Sequence, residues 1–358
     1  MGRVTVKITR IFSMKKYICT LFLFMVSSMT IYAQNQLEQL LKEGIAYHDK
    51  GQYDKAIKSY QEMLALDPNS AIAYYEISMS YMYAKQYDLA IEYSSKAIER
   101  GGRYSVPALV VKASSLSNLN RVDEAIELLE ETIDTHEVDV MVYYNLAICY
   151  LKLNDLEKAE RALVAGIYDN PLHASSHYML AVVKESQQLH IESMLSAYFF
   201  LLLEKHSARS IKMLQLIEQG FEKGVSVSTE EKNVINLALD EGKLDSKYGL
   251  VEMGLTLNAA VDIAEQKGQD KEAFCDRTTN FLDLLKVVKT ENPTLLEIDL
   301  VLYVPFFTAI TEEEVFCNYV YQTTPGGNLQ WLNKNEKKVA SFQEWIKTKA
   351  FELTQVTE

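Results

Sequence analysis

The sequence predicts an all-α protein: a solenoid of about five helix-turn-helix repeats over residues 37–205, then an all-helical C-terminal domain over residues 206–358. Three observations lead there. Gly44, Ser78, Ala113, Ala147 and Ala181 return at intervals of 34, 35, 34 and 34 residues, a periodicity that marks stacked structural units. Each of the first four is followed twelve residues later by a second small residue, Ala56, Ala90, Ala125 and Ala159. The segments between breakers carry apolar residues at spacings of three and four, with no useful strand-like alternation.

The repeats run 37–70, 71–105, 106–139, 140–173 and 174–205, the last being the faintest copy. In each, the paired small residues let two helix backbones approach at a crossing point. Larger side chains recur in register around that crossing: Leu40, Tyr74, Leu109 and Tyr143 before it, Tyr47, Tyr81, Leu116 and Tyr150 after it, and Tyr60, Leu129 and Leu163 on the second helix. Gly51, Asn120 and Asn154 stand where the first helix ends, a position that favours left-handed residues. Asp54, Asp88, Asp123 and Glu157 open the second helix, where negative charge suits the dipole. Pro68 and Pro171 mark the exits from their repeats.

These residues resemble the tetratricopeptide repeat (TPR) family, whose pattern runs G-x-x-Y, then A, then Y or L, then P. The resemblance covers about half the chain, is specific for fold, and is weak for function. It implies that the first helices line a concave groove. The inward positions would then be Leu41, Ile45 and His48; Tyr75, Met79, Met82 and Tyr83; Val110, Ser114 and Asn118; Tyr144, Asn145, Ile148 and Lys152; and Tyr178, Met179 and Val182. The carboxylate clamp of some family members needs Lys and Asn at several of these places. Here Asn145 and Lys152 stand among Tyr and Met, so that clamp is not expected. The candidate partner-binding residues are Tyr75, Met79, Met82, Tyr83, Tyr144, Asn145, Ile148 and Tyr178, a lining suited to an apolar helix or extended segment of another protein.

The net charge is −13, and residues 1–33 hold five basic residues and no acidic one. A chain so acidic lacks the basic footprint that nucleic acid or anionic lipid requires. The first 33 residues follow the plan of a secretory signal: basic residues up to Lys16, an apolar run from Tyr17 to Val26, and small residues leading to a cut after Ala33. Met14, followed by Lys15 and Lys16, reads as a more natural start than Met1. An exported, periplasmic protein is expected, similar to exported bacterial members of the family.

Beyond Ser207 the 34-residue rhythm stops while helical signals continue. Ser228 with Glu231, and Thr311 with Glu314, read as capping boxes. Leu250–Glu265 and Ala273–Val288 read as helices, Pro293 as a helix start, Pro305 as a kink or break, Thr324–Gly327 as a turn, and Glu336–Leu353 as the last helix. Ala197–Leu203 reads as a buried connecting helix. Tyr303, Phe306, Phe307, Phe316, Tyr319, Trp331 and Trp345 read as core, with a small-molecule pocket as the alternative. Cys19 lies in the apolar leader. The spacing of Cys149, Cys275 and Cys317 suggests neither a disulfide framework nor a metal site, so all three read as packing residues.

The sequence holds no phosphate loop, dinucleotide fingerprint, H-E-x-x-H motif or nucleophile elbow. His173 and His177 share a helical spacing, but no third ligand accompanies them. The expected function is therefore a non-catalytic adaptor, with no cofactor or metal, that binds a protein or peptide in its groove. Envelope or outer-membrane proteins are the candidate partners. The alternatives are a ligand-binding or carbohydrate-uptake accessory protein with a C-terminal pocket, and a structural envelope-assembly factor.

Overall fold

The computed structural model describes residues 32, 34–229, 234–238, 244–268, 270–289, 293–294, 296–321 and 329–355. The signal segment (Tyr32 apart), Glu231 and the Thr324–Gly327 turn lie outside the described residues. The chain forms two compact units, Met1–His136 and Glu137–Glu358.

The first unit is three helical hairpins: α1 (34–48) with α2 (Tyr53–Leu66), α3 (Ala71–Tyr83) with α4 (Tyr87–Arg100), and α5 (Ser105–Asn118) with α6 (Val122–Thr135). Size sets the crossing in each, as the sequence predicts. A Cβ built on Gly44 would fall 2.2 Å from Cε1 of Tyr60. Ala56, Ser78, Ala90, Ala113 and Ala125 are fully buried. Leu40, Ile57, Tyr60, Met63 and Ile77 fill the space around the first crossing, and the Tyr60 hydroxyl donates to Glu76 at 3.3 Å. The turns inside the hairpins use left-handed residues, Gly51 (φ +70°), Lys85 (+60°) and Asn120 (+64°).

The second unit opens with α7 (Val140–Lys152) and α8 (Leu156–Asp169), then α9 (Ala174–Ser186) and α10 (His190–Leu203). Ala147 and Ala159 are fully buried, and Asn154 and Gln188 supply the left-handed turns. The next helix, α11 (Ala208–Phe221), departs from the expectation that the rhythm ends at Ser207. Helices α3, α5, α7, α9 and α11 begin at 71, 105, 140, 174 and 208, so the interval persists for one more first helix. Among the described residues no second helix of a repeat follows it. Gln215 stands where Ala147 and Ala181 stand in earlier copies, and it is exposed.

Helix α10 is the hydrophobic axis of this unit, buried from Ile191 to Leu202. Tyr198 and Phe199 meet Phe274 and Phe281 of α13 (Lys271–Leu285), Tyr303, Phe306 and Phe307 of the 299–308 segment, and Phe316 of α15 (Glu313–Tyr321). Between α11 and α12 (Gly249–Ala264) lies a short antiparallel pair, β1 (Val225–Val227) and β2 (Ile235–Leu237), an exception to the all-helical reading of this half. Helix opens at Ile298 rather than at Pro293, after the Thr294 amide and hydroxyl bond the Glu297 carboxylate. A π-helical turn, Asp299–Tyr303, passes directly into α14 (Val304–Thr308), with Pro305 in its first turn. Proline cannot donate to the helical ladder, and the ladder changes register here rather than breaking. Helices α16 (Leu329–Lys334) and α17 (Glu336–Thr354) complete the described chain.

The cysteine reading is corrected. Cys275 on α13 and Cys317 on α15 form a disulfide, with Cα atoms 5.5 Å apart; Cys149 is free and buried. Forty-two residues of separation conceal the fact that α13 and α15 pack side by side. Buried polar links join other elements of this unit. Asp299 accepts from Lys247 and Tyr248, each at 2.6 Å, and Lys247 lies 3.4 Å from Glu192 on α10.

Candidate interaction surfaces on the first helices

In the first unit, the candidate positions on α1 and α3 form an aromatic surface held from below. His48 hydrogen-bonds Ser80 through Nδ1 at 3.0 Å, which fixes its ring. The rings of Tyr53 and Tyr83 both meet it edge to face, at 5.2 and 5.1 Å, and stack on one another at 6.1 Å. Burial lowers the pKa of His48 against a smaller opposing effect from Asp49, so the imidazole stays neutral at pH 7. Tyr83 remains 51% exposed and Ile45 40%. Met79 and Met82 are half-buried. Tyr75 stacks on Tyr104 at 5.7 Å, and Arg103 lies 4.8 Å above Tyr104. Tyr53 and Tyr104 were not legible as site residues: one opens a second helix and the other closes a 3-10 turn, outside the first-helix register.

In the second unit, Tyr144, Asn145, Ile148 and Tyr178 are all half-buried. Asn145 turns back to the Met141 carbonyl at 2.8 Å. Tyr144 meets His173 edge to face at 5.3 Å. Part of this surface is covered by the chain itself: Arg209 of α11 sits 5.3 Å over Tyr178 and 5.5 Å over Phe200, donates to Ser175 at 3.0 Å, and pairs with both carboxylate oxygens of Glu204.

The two histidines of the helical pair have separate partners. His173 bonds Ser176. His177 is wholly buried, with Nε2 donating to the Pro171 carbonyl at 2.9 Å and Nδ1 accepting from Tyr303 at 2.8 Å. Burial brings the His177 pKa down to about 3. Among the described residues no group of three His, Cys, Asp or Glu side chains is arranged to hold a metal. Of the two tryptophans, Trp345 stacks on Phe342 and meets Phe306 beside a cavity of about 250 Å³, and Trp331 donates to Glu314 at 3.1 Å. Both indoles are half-buried.

The TPR repeat family matches residues 44–82, and the tetratricopeptide repeat family matches 71–100 and 118–182. Over these residues the chain carries tetratricopeptide repeats. A TPR repeat-containing protein of Methanocaldococcus jannaschii is 30% identical over 129 residues, which are 36% of this chain and 22% of that one. The BBSome complex member BBS4 homolog of Drosophila melanogaster is 19% identical over 188 residues, 52% of this chain and 39% of that one. The TPR chain described here thus spans well under half the length of these relatives. A thermophilic TPR protein of Thermus thermophilus is similar in structure at 16% identity and a TM-score of 0.46, over 51% of this chain and 99% of that one. Among the described residues no helix of this TPR protein is long and apolar enough to cross a membrane.

Proposed function

We propose that this TPR protein is a non-catalytic interaction scaffold, exported to the bacterial envelope, that binds a protein or peptide segment on the first-helix faces of its repeats. The observation that carries this reading is Tyr83. Its ring is fixed against His48 and Tyr53 yet stays half in solvent. A rigid aromatic group held open to water binds at little entropic cost, which is why tyrosine is enriched at binding hot spots. Tyr75, Met79 and Met82 extend the same lining, with thioethers that adapt to a partner's shape. Export is supported by the three-part N-terminal pattern and by the Cys275–Cys317 pairing, since structural disulfides persist in oxidising compartments.

The test is crosslinking of the tagged chain in place, with co-purifying proteins identified by mass spectrometry, for the natural chain and for a variant carrying Tyr75→Ser, Met79→Ser, Tyr83→Ser and Tyr144→Ser. Tyr83→Ser alone is the milder variant, because half of its ring contributes nothing to packing. Losing hot-spot aromatics costs about 2 kcal/mol or more each, so the quadruple variant should lose its partners while its circular dichroism is unchanged. Recovery of the same partners by a folded quadruple variant rejects the proposal.

A further inference from the structure

A cavity of about 790 Å³ lies within the second unit between α10, α11 and α12. That volume is in the range of small-molecule sites, roughly 300–1,000 Å³. Its wall is mainly apolar, with Ile191 and Met194 from α10 and Met253 and Leu255 from α12. Glycines keep it open. Gly220 and Gly224 line it without side chains, and a Cβ on Gly220 would fall 2.4 Å from the Met194 sulfur. The polar groups at its edge sort into two kinds. Glu185, His190 and Lys223 satisfy one another: His190 Nδ1 donates to Glu185 at 3.0 Å, and Lys223 donates to His190 Nε2. Glu252, half-buried in the first turn of α12, lines the same cavity and has neither an ion pair nor a side-chain hydrogen bond among the described residues.

A carboxylate that has no partner among the described residues, on a mainly apolar wall, is free to pair with a cation that enters the cavity. We propose that this cavity binds a small molecule with an apolar body and an ammonium head, the head pairing with Glu252 and the body lying against Ile191, Met194, Met253 and Leu255. An anionic ligand is disfavoured, because Lys223 is already engaged with His190 and the remaining lining charge is Glu252. The site is independent of the repeat surface proposed above.

The test uses three probes of one shape, 4-phenylbutylamine, 4-phenylbutanol and 4-phenylbutyrate, titrated calorimetrically into the purified full chain. The amine should bind saturably with one site, and the carboxylate about tenfold or more weaker. Glu252→Gln should reduce amine affinity about tenfold and bring it level with the alcohol. The first turn of a helix also favours a carboxylate for its dipole, so the readout is ligand affinity, with the urea midpoint measured alongside to show that the variant is folded. Absence of saturable amine binding at millimolar concentration, equal or tighter binding of the carboxylate, or an amine affinity unchanged by Glu252→Gln overturns the proposal.

Discussion

Replacing Gly44 with alanine tests whether side-chain size sets the helix crossings. The added methyl would sit 2.2 Å from Cε1, 2.6 Å from Cζ and 2.8 Å from Cδ1 of Tyr60, where carbon atoms ordinarily rest about 3.5–4.0 Å apart. The ring has no room to retreat, being fully buried and tethered to Glu76 through its hydroxyl. Overpacking of this kind costs about 1–3 kcal/mol, whereas alanine over glycine in a helix interior returns about 1 kcal/mol. The net expectation is a loss of up to roughly 2 kcal/mol in the α1–α2 hairpin. Repeat arrays open locally, unit by unit, so the assay is native-state hydrogen exchange of α1 and α2 amides, supported by urea denaturation. In a Tyr60→Leu background the clash disappears, and Gly44→Ala should become neutral or stabilising. Gly51→Ala is the comparison. With φ at +70° and nothing within 4 Å of the added Cβ, it should cost about 1–2 kcal/mol of left-handed strain whether or not Tyr60 is present. If Gly44→Ala is at least as stable as the parent with Tyr60 in place, the size argument fails.

Two further perturbations follow. His177 is held near pKa 3 by burial, so between that value and about 6.5 the unfolded chain binds a proton that the folded chain refuses. Stability from this group is complete above pH 6.5 and falls with pH, by up to about 1.4 kcal/mol per unit. Urea titrations at pH 7 and pH 5 should show that slope, and His177→Phe should flatten it; an unchanged slope would assign the acid sensitivity elsewhere. The Cys275–Cys317 bridge closes a loop with a sequence separation of 42, for which the chain-entropy relation gives about 4 kcal/mol. Reduction, or Cys275→Ser with Cys317→Ser, should lower the second unit's stability by about 2–4 kcal/mol. Labelling of Cys275 and Cys317 in denaturant without reductant would show the bridge to be absent.

How far the structure could be read in advance depended on whether the signal was local. The alanines and glycine at the crossings are legible because size acts at a fixed interval, and Gly51, Asn120 and Asn154 because their residue types favour left-handed backbone. Lys85 and Gln188 adopt the same conformation with no such preference, so the turn is imposed on them by the helices they join. Helix α11 escaped notice because exposed Gln215 occupies the position where a small residue would have announced it. The disulfide and the cavity depend on segments tens of residues apart. Contacts of that kind leave no periodic trace. Of the candidate surface, the first-helix tyrosines followed from register, whereas the His48–Tyr53–Tyr83 cluster needed coordinates because it joins two hairpins.

The unmatched helix α11 has an evolutionary corollary. Because it begins at the same interval as the first helices before it, duplication of a whole 34-residue segment upstream would present it with a docking face equivalent to the one it uses now. The tail could then travel intact with an array of any length. Sister proteins with four or six hairpins ahead of an unchanged α11 and C-terminal region should therefore be viable, whereas insertions out of step with that interval should not.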